Sequence, residues 1–83
     1  MNNKVFVASI SWNTDNNGLK KHFSQIGTVE DAVIIKDRET KRSKGFGFVT
    51  FSNDEEAAEA IQKLDNSLLD GKNIRVSLAR EKR

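Results

Sequence analysis

The octapeptide Lys44-Gly45-Phe46-Gly47-Phe48-Val49-Thr50-Phe51 decides the fold that this chain can adopt. In a β-strand, successive side chains point to opposite faces, so Phe46 and Phe48 share one face with Lys44. The other face carries Val49 and Phe51 together with two glycines, a combination that suits the close approach of helices. The pattern therefore predicts a strand that helices cover on one side only, with two phenylalanine rings on the uncovered side.

The flanking sequence supplies two helices and three further strands. Apolar residues recur at helical spacing in two segments, with Thr14 as the predicted N-cap of the first helix and Asn53 or Ser52 as that of the second. The predicted order is a strand over residues 5–8, a helix over 14–25, strands over 29–36 and 44–51, a helix over 54–64 and a strand over 73–78. Residues 37–43 are charged and are predicted to form an exposed loop. Two β-α-β units with right-handed crossovers give an α+β fold, in which a four-stranded antiparallel sheet carries both helices on one face.

The first predicted strand repeats the two-sided arrangement of the third. Val5 and Val7 point towards the helices, whereas Phe6 points to the open face. The open face therefore gathers three phenylalanine rings edged by basic residues, namely Phe6, Phe46, Phe48, Lys4, Lys44 and Arg75. A soluble monomer rarely exposes such a patch without using it. Aromatic rings stack on nucleic-acid bases and basic side chains meet phosphates, although alternating phenylalanines in strands are also common in cores.

Length and composition restrict the class of protein. The chain has 83 residues, no cysteine and one histidine, which disfavours disulfide scaffolds, thiolate zinc sites and histidine metal cages. We expect one domain over residues 1–83, with a core over about 4–79, a basic tail over 80–83, and no metal or cofactor. No apolar run approaches the roughly 20 residues of a membrane span, so we expect a soluble protein. The absence of cysteine fits a reducing, intracellular compartment, which is equally the nucleus or the cytoplasm, and we expect a monomer.

A formal charge of only +2 conceals a strong segregation of charge. Residues 36–44 hold five basic and two acidic side chains, residues 72–83 hold five basic and one acidic, and residues 53–66 hold five acidic and one basic. The domain should therefore have a basic and an acidic side. A basic patch suggests a polyanionic partner such as nucleic acid, while ordinary solvated surface is the alternative explanation.

Catalytic patterns are weak in this chain, and we expect no enzyme activity. The segment Gly45-Phe46-Gly47 lacks both the lysine-serine ending of a P-loop and the third glycine of a dinucleotide fingerprint. It also lies within a predicted strand rather than before a helix. No nucleophile-base arrangement or carboxylate pair stands out at a meaningful spacing.

The octapeptide resembles the RNP1 signature of the RNA recognition motif family, K/R-G-F/Y-G/A-F-V-x-F/Y, at every defined position. The segment Val5-Phe6-Val7-Ala8-Ser9-Ile10 resembles the shorter RNP2 element, with its aromatic residue in second place. The resemblance extends from residue 4 to about 79 and implies a ferredoxin-like β-α-β-β-α-β sandwich with strand order 4-1-3-2. Lys41 stands where many members have glycine, which implies a less tightly formed turn there.

The resemblance also implies roles for single residues and a ligand, single-stranded RNA, with single-stranded DNA as a related one. Phe6 and Phe48 would stack on adjacent bases, Phe46 would pack against the sugars between them, and Lys44 would bind phosphate. A peptide-binding module that uses its helix side is the alternative function.

Four further residues are weaker candidates for the same site. Trp12 either stacks on a base or packs against a helix end, and Arg42 either follows phosphates from the long loop or is merely solvated. Arg75 and Arg80 either extend the RNA contacts or belong to a frayed basic tail. His22 is predicted to be an exposed helix residue.

Overall fold

The computed structural model describes residues 3–79, so the predicted basic tail lies outside the described residues. The element order is β1 (Lys4–Ala8), α1 (Asn16–Ser24), β2 (Val29–Lys36), β3 (Ser43–Phe51), α2 (Asp54–Leu64), β4 (Leu68–Leu69), β5 (Lys72–Asn73) and β6 (Arg75–Leu78). The main sheet is antiparallel throughout, with the order β2-β3-β1-β6, and both helices pack on one face of it. The predicted fold class and strand order are confirmed.

The core lies between the sheet and the two helices. Leu19 and Phe23 are fully buried on α1, and the rings of Phe23 and Phe51 lie with centroids 6.2 Å apart. The buried alanines of α2, Ala57 and Ala60, let this helix approach the sheet closely. Burying one large apolar side chain contributes about 1.5–3 kcal/mol, so this single layer holds the small domain together.

Helix α1 begins one residue later than the sequence predicts. Asp15 is the N-cap, because its Oδ1 accepts a hydrogen bond of 2.7 Å from the backbone N–H of Gly18. Thr14, the predicted cap, is instead buried and donates through Oγ1 to Asp70 Oδ2 at 2.6 Å. The prediction was wrong because Thr14 has a tertiary partner, and a neighbouring carboxylate takes over the cap.

Helix α2 is capped as predicted by Asn53, whose Oδ1 accepts a hydrogen bond from the backbone N–H of Glu56. The acidic first turn of this helix complements the positive end of the helix dipole. Within residues 3–79, neither helix is of the length and apolar character that crossing a membrane requires.

A second, two-stranded sheet follows α2, where the sequence predicts only a turn at Asp70-Gly71. Strands β4 and β5 form a hairpin around that turn, whose residues have φ angles of 52° and 84°. Positive φ at both central residues is the type I′ conformation that joins tight hairpins. Because Lys72 and Asn73 belong to this hairpin, the last strand of the main sheet begins at Arg75 rather than at residue 73.

The hairpin region also covers part of α1, which corrects the prediction for His22. The imidazole is half-buried, and its Nε2 lies 3.0 Å from Ser67 Oγ. Burial lowers the pKa of His22, while the charge of Asp70 opposes that shift.

Candidate nucleic-acid interface

The strand register determines which side chains share the open face of the main sheet. In an antiparallel pair, directly opposed residues point to the same face. Phe48 lies opposite Phe6 on one side and Val33 on the other, and Phe6 lies opposite Ser77. These four side chains form a row that crosses the whole sheet on the side without helices.

The three predicted aromatic residues meet in one cluster on this face. The ring centroid of Phe6 lies 5.7 Å from that of Phe46 and 5.6 Å from that of Phe48. All three rings are partly exposed, whereas Val5, Val7 and Val49 on the opposite face are fully buried. The predicted placement of the rings is confirmed, and they are not core residues. The open face therefore presents a preformed aromatic platform.

Lys4 belongs to this platform as well as to its charged edge. Its Nζ lies 5.7 Å from the ring centroid of Phe48, within the range of a cation-π contact. Lys4 also lies opposite Thr50, one row away from the rings. A nucleotide stacked on Phe48 would thus have a cation beside it.

Lys44 is exposed, as predicted, but the regular alternation of β3 does not extend to it. Gly45 has a φ of 84°, and the register with β2 shifts between Ile34 and Lys36. The backbone N–H of Gly45 bonds to Ser43 Oγ at 3.0 Å, which holds this irregular strand start in place. Lys44 therefore stands at the edge of the open face near Asp37, whose carboxylate it helps to stabilise in the charged form.

Arg75 lies opposite Ala8 at the edge of the open face, yet it already has a partner. Its Nε donates to Asp65 Oδ1 at 3.0 Å, and the same carboxylate oxygen accepts the backbone N–H of Val76 at 2.8 Å. The hydrogen bond from Val76 is the main reason that the pKa of Asp65 is lowered, and the bond from Arg75 adds to it. The sequence did not reveal this pair, because its members lie ten positions apart in different elements.

Trp12 and Arg42 meet at one end of the sheet. They line a groove of about 330 Å³ together with Asn13, Thr14, Asp15, Lys36, Lys41 and Ser43. Trp12 is 75% exposed, so the alternative that it packs against a helix end was wrong. The groove combines an exposed aromatic ring with three cations, Lys36, Lys41 and Arg42.

The loop that supplies Lys41 and Arg42 is well organised by hydrogen bonds. Asp37 Oδ1 accepts the backbone N–H groups of Glu39 and Thr40 at 2.8 and 3.1 Å. The bond from Thr40 contributes most to lowering the pKa of Asp37, and the bond from Glu39 comes next. The predicted exposed loop is confirmed, and its internal bonds fix the position of the basic residues.

The register also places one acidic side chain on the open face, and the sequence patterns did not single it out. Asp31 lies opposite Thr50, in the row next to that of Phe48. Ala32 and Ile34 of β2 lie on the helix side, so alternation assigns Asp31 to the open face. A register shift between Val29 and Asp31 interrupts this alternation at the start of the strand and obscures the signal in the sequence. Within residues 3–79, no group of acidic, histidine or cysteine side chains has the arrangement of a metal site.

Proteins of similar sequence match this chain over most of its length. The chain is 49% identical over 82 residues to glycine-rich RNA-binding protein 4, mitochondrial, of Arabidopsis thaliana, covering 99% of this chain and 60% of that protein. It is 50% identical over 76 residues to glycine-rich RNA-binding protein 1 of Mycosarcoma maydis, covering 92% of this chain and 43% of that protein. The chain thus spans 60% or less of the length of these two curated relatives.

Solved structures share the fold. The crystal structure of RNA binding protein PG1 superposes with a TM-score of 0.88 at 32% identity, covering 96% of each chain. A structure titled Sxl-lethal protein/RNA complex gives a TM-score of 0.92 at 26% identity, covering all of this chain and 50% of the other. The family described as RNA recognition motif matches residues 5–75. With both signature strands in the centre of the sheet and the rings on its open face, the chain belongs to the RNA recognition motif family.

Proposed function

We propose that this domain binds single-stranded RNA across the open face of its sheet. The observation that carries the proposal is the cluster of Phe6, Phe46 and Phe48, in which the ring of Phe6 contacts both other rings on the side that no helix covers. Membership of the RNA recognition motif family supports it, as do the names of the relatives, which are RNA-binding proteins. The activity is binding alone, without a chemical step, by a monomer inside the cell.

Stacking of bases on the aromatic rings supplies one part of the binding free energy. Phe6 and Phe48 each offer a ring face to one base, and Phe46 packs against the sugars between the two bases. Stacking of a base on an aromatic side chain is worth about 1–3 kcal/mol. Two stacked bases with their neighbours correspond to a site of roughly two to four nucleotides.

Charge supplies the rest of the affinity and its dependence on salt. Lys4 and Lys44 at the edge of the face, with Arg42 in the groove, bind phosphates, and Trp12 extends the aromatic surface. Arg75 contributes by exchanging Asp65 for a phosphate, and Arg80 contributes from beyond the described residues. Single-stranded DNA, which presents the same bases and phosphates, binds comparably or more weakly.

The aromatic platform is tested by the double substitution F46A/F48A, measured by fluorescence anisotropy with a labelled random RNA pool. Loss of one stacked base and one sugar contact should weaken binding by at least about tenfold. The matched control is Leu68→Ala, which truncates an apolar side chain that is 64% exposed on β4, outside the open face. Equal affinity of the double variant and the parent protein would refute the proposal.

An NMR titration with short RNAs separates this function from peptide binding on the helix side. RNA should shift the amide signals of β1 and β3, which form the centre of the open face. Shifts confined to α1 and α2 would support the peptide-binding alternative.

A further inference from the structure

Asp31 is an anomaly on a surface that binds a polyanion. Its carboxylate is exposed on the open face, because its register partner Thr50 alternates with Val49 and Phe51, which are buried on the helix side. Lys4 lies on the far side of Thr50 in the same row. The two side-chain ion pairs found within residues 3–79 do not include Asp31.

The chemistry of a carboxylate limits what Asp31 can contact. An ionised carboxylate repels phosphate and accepts hydrogen bonds without donating any. On a surface that carries single-stranded RNA, the groups that suit it are the N–H donors on base edges. Bases that are splayed out on a sheet present those edges to neighbouring side chains.

The position of Asp31 relative to Phe48 brings such an edge within reach. Val33 lies directly opposite Phe48, and Asp31 is two residues before Val33 on the same strand. Diagonal neighbours of this kind are separated by about 7–8 Å on an antiparallel sheet. The edge of a base stacked on Phe48 and the side chain of Asp31 extend towards each other across that separation.

The four bases differ in what they offer to a carboxylate. The Watson–Crick edge of guanine carries two adjacent donors, N1–H and the N2 amino group, which match the two carboxylate oxygens as a bidentate pair. Adenine and cytosine place a single amino group beside an acceptor. Uracil places one N–H between two carbonyl oxygens, which a carboxylate repels.

We propose that Asp31 selects guanine for the nucleotide stacked on Phe48, by accepting both donors of its Watson–Crick edge. This assignment rests on the proposed function and adds a base preference to it. Removal of the carboxylate should therefore change which RNA binds best, rather than abolish binding.

The test uses hexameric oligouridylates in which a single guanine is moved through the six positions, and the best binder is compared with its inosine counterpart. Inosine lacks only the N2 amino group of guanine. The wild-type protein should bind the guanine RNA about tenfold more tightly than the inosine RNA, because one hydrogen bond to a charged group is lost. Asp31→Ala should bind these two RNAs equally, and should bind all-uridine RNA at least as tightly as the wild type does.

Two further variants make the result specific. Glu55→Ala removes the same charge from an exposed position on α2 and should retain the preference for guanine over inosine. Asp31→Asn preserves side-chain shape but sets an amide N–H against one guanine donor, so it should also lose the preference.

The outcomes separate the two proposals. A preference for guanine over inosine that persists in both Asp31 variants, or a loss of affinity by the same factor for every RNA, would overturn the role of Asp31. Equal binding of all hexamers by the wild type would do the same while leaving RNA binding intact. Absence of binding to any RNA would instead refute the proposed function.

Discussion

At the scale of single residues, two positions beside the binding face have a positive φ angle, and only one of them is occupied by glycine. Gly45, in the signature octapeptide, has a φ of 84°, and Lys41, in the preceding loop, has a φ of 65°. Glycine adopts this region freely, whereas a residue with a Cβ atom is strained there. The resemblance implied a looser turn at Lys41, and the structure shows that the chain still adopts the turn with lysine in a left-handed conformation.

Exchanging these side chains should therefore move stability in opposite directions. Gly45→Ala should lower the free energy of unfolding by about 1–2 kcal/mol, the cost of placing a Cβ atom at positive φ. Lys41→Gly should raise the free energy of unfolding by a few tenths to about 1 kcal/mol. The backbone strain relieved in the folded state outweighs the conformational entropy that glycine adds to the unfolded chain. Urea denaturation followed by circular dichroism measures both values. A change of the same sign in the two variants would contradict the argument.

The residues of the aromatic platform were predictable because strand alternation alone assigns their face. Phe6, Phe46 and Phe48 needed no knowledge of tertiary contacts. The pair between Arg75 and Asp65 was not predictable, because the direction of a long side chain at a sheet edge depends on which element folds next to it.

At the scale of elements, a single side chain joins the start of α2 to the connection between α1 and β2. Glu56 Oε1 accepts hydrogen bonds from the backbone N–H of Thr28 at 3.1 Å and from Ser52 Oγ at 2.9 Å. Gly27 makes room for this contact, because a Cβ atom at that position would lie 2.3 Å from Glu56 Cδ. The two β-α-β units are thereby fastened to each other on the helix side.

Glu56→Ala should lower the free energy of unfolding by about 1–2 kcal/mol, since two hydrogen bonds to a charged acceptor in a partly exposed place are lost. The neighbouring Glu55→Ala serves as the control, because it removes equal charge from the same helical turn and leaves the Thr28 contact intact. Chemical denaturation of both variants measures these losses in the free energy of unfolding, and the loss should be larger in Glu56→Ala. Equal losses would show that charge at the helix start, rather than the contact with Thr28, is responsible.

The order of the main elements followed from periodicity, but the small hairpin did not. Strands of two residues, such as Leu68–Leu69, are too short to show alternation, so only their turn at Asp70-Gly71 left a signal. The same hairpin explains why the predicted N-cap was wrong. The hydroxyl of Thr14 donates its hydrogen bond to Asp70 in the hairpin, and Asp15 caps α1 instead.

At the scale of the whole molecule, the two layers have separate tasks. The helix layer buries one face of the sheet, and the open face carries the rings, a basic edge and the carboxylate of Asp31. The net charge of +2 is a poor guide to this surface, since the acidic first turn of α2 lies on the helix side while Lys41 and Arg42 line the groove at the end of the sheet. A nearly neutral domain thereby presents cations where a phosphate backbone would run.

The stability of the whole domain should depend on pH through His22. Burial holds the pKa of His22 below its ordinary value of about 6.5 despite the opposing charge of Asp70, so the unfolded chain binds a proton more readily than the folded one. The free energy of unfolding therefore rises with pH through this range. The contribution of His22 to stability is therefore present above about pH 6.5 and is lost as the pH falls below that value and through the lower pKa of the folded state.

His22→Gln tests this linkage, because glutamine retains a hydrogen bond to Ser67 and does not titrate. Thermal unfolding between about pH 7.5 and 5.5 should show a falling midpoint in the wild type and a nearly constant one in the variant. Asp37 and Asp65 also contribute, but both have lowered pKa values, so their contribution is present above the ordinary carboxylate pKa of about 4 and is lost only in more acidic solution. Lys20→Gln, on the exposed side of α1, is the charge control and should follow the wild type. An equally steep decline in His22→Gln would assign the pH dependence to another group.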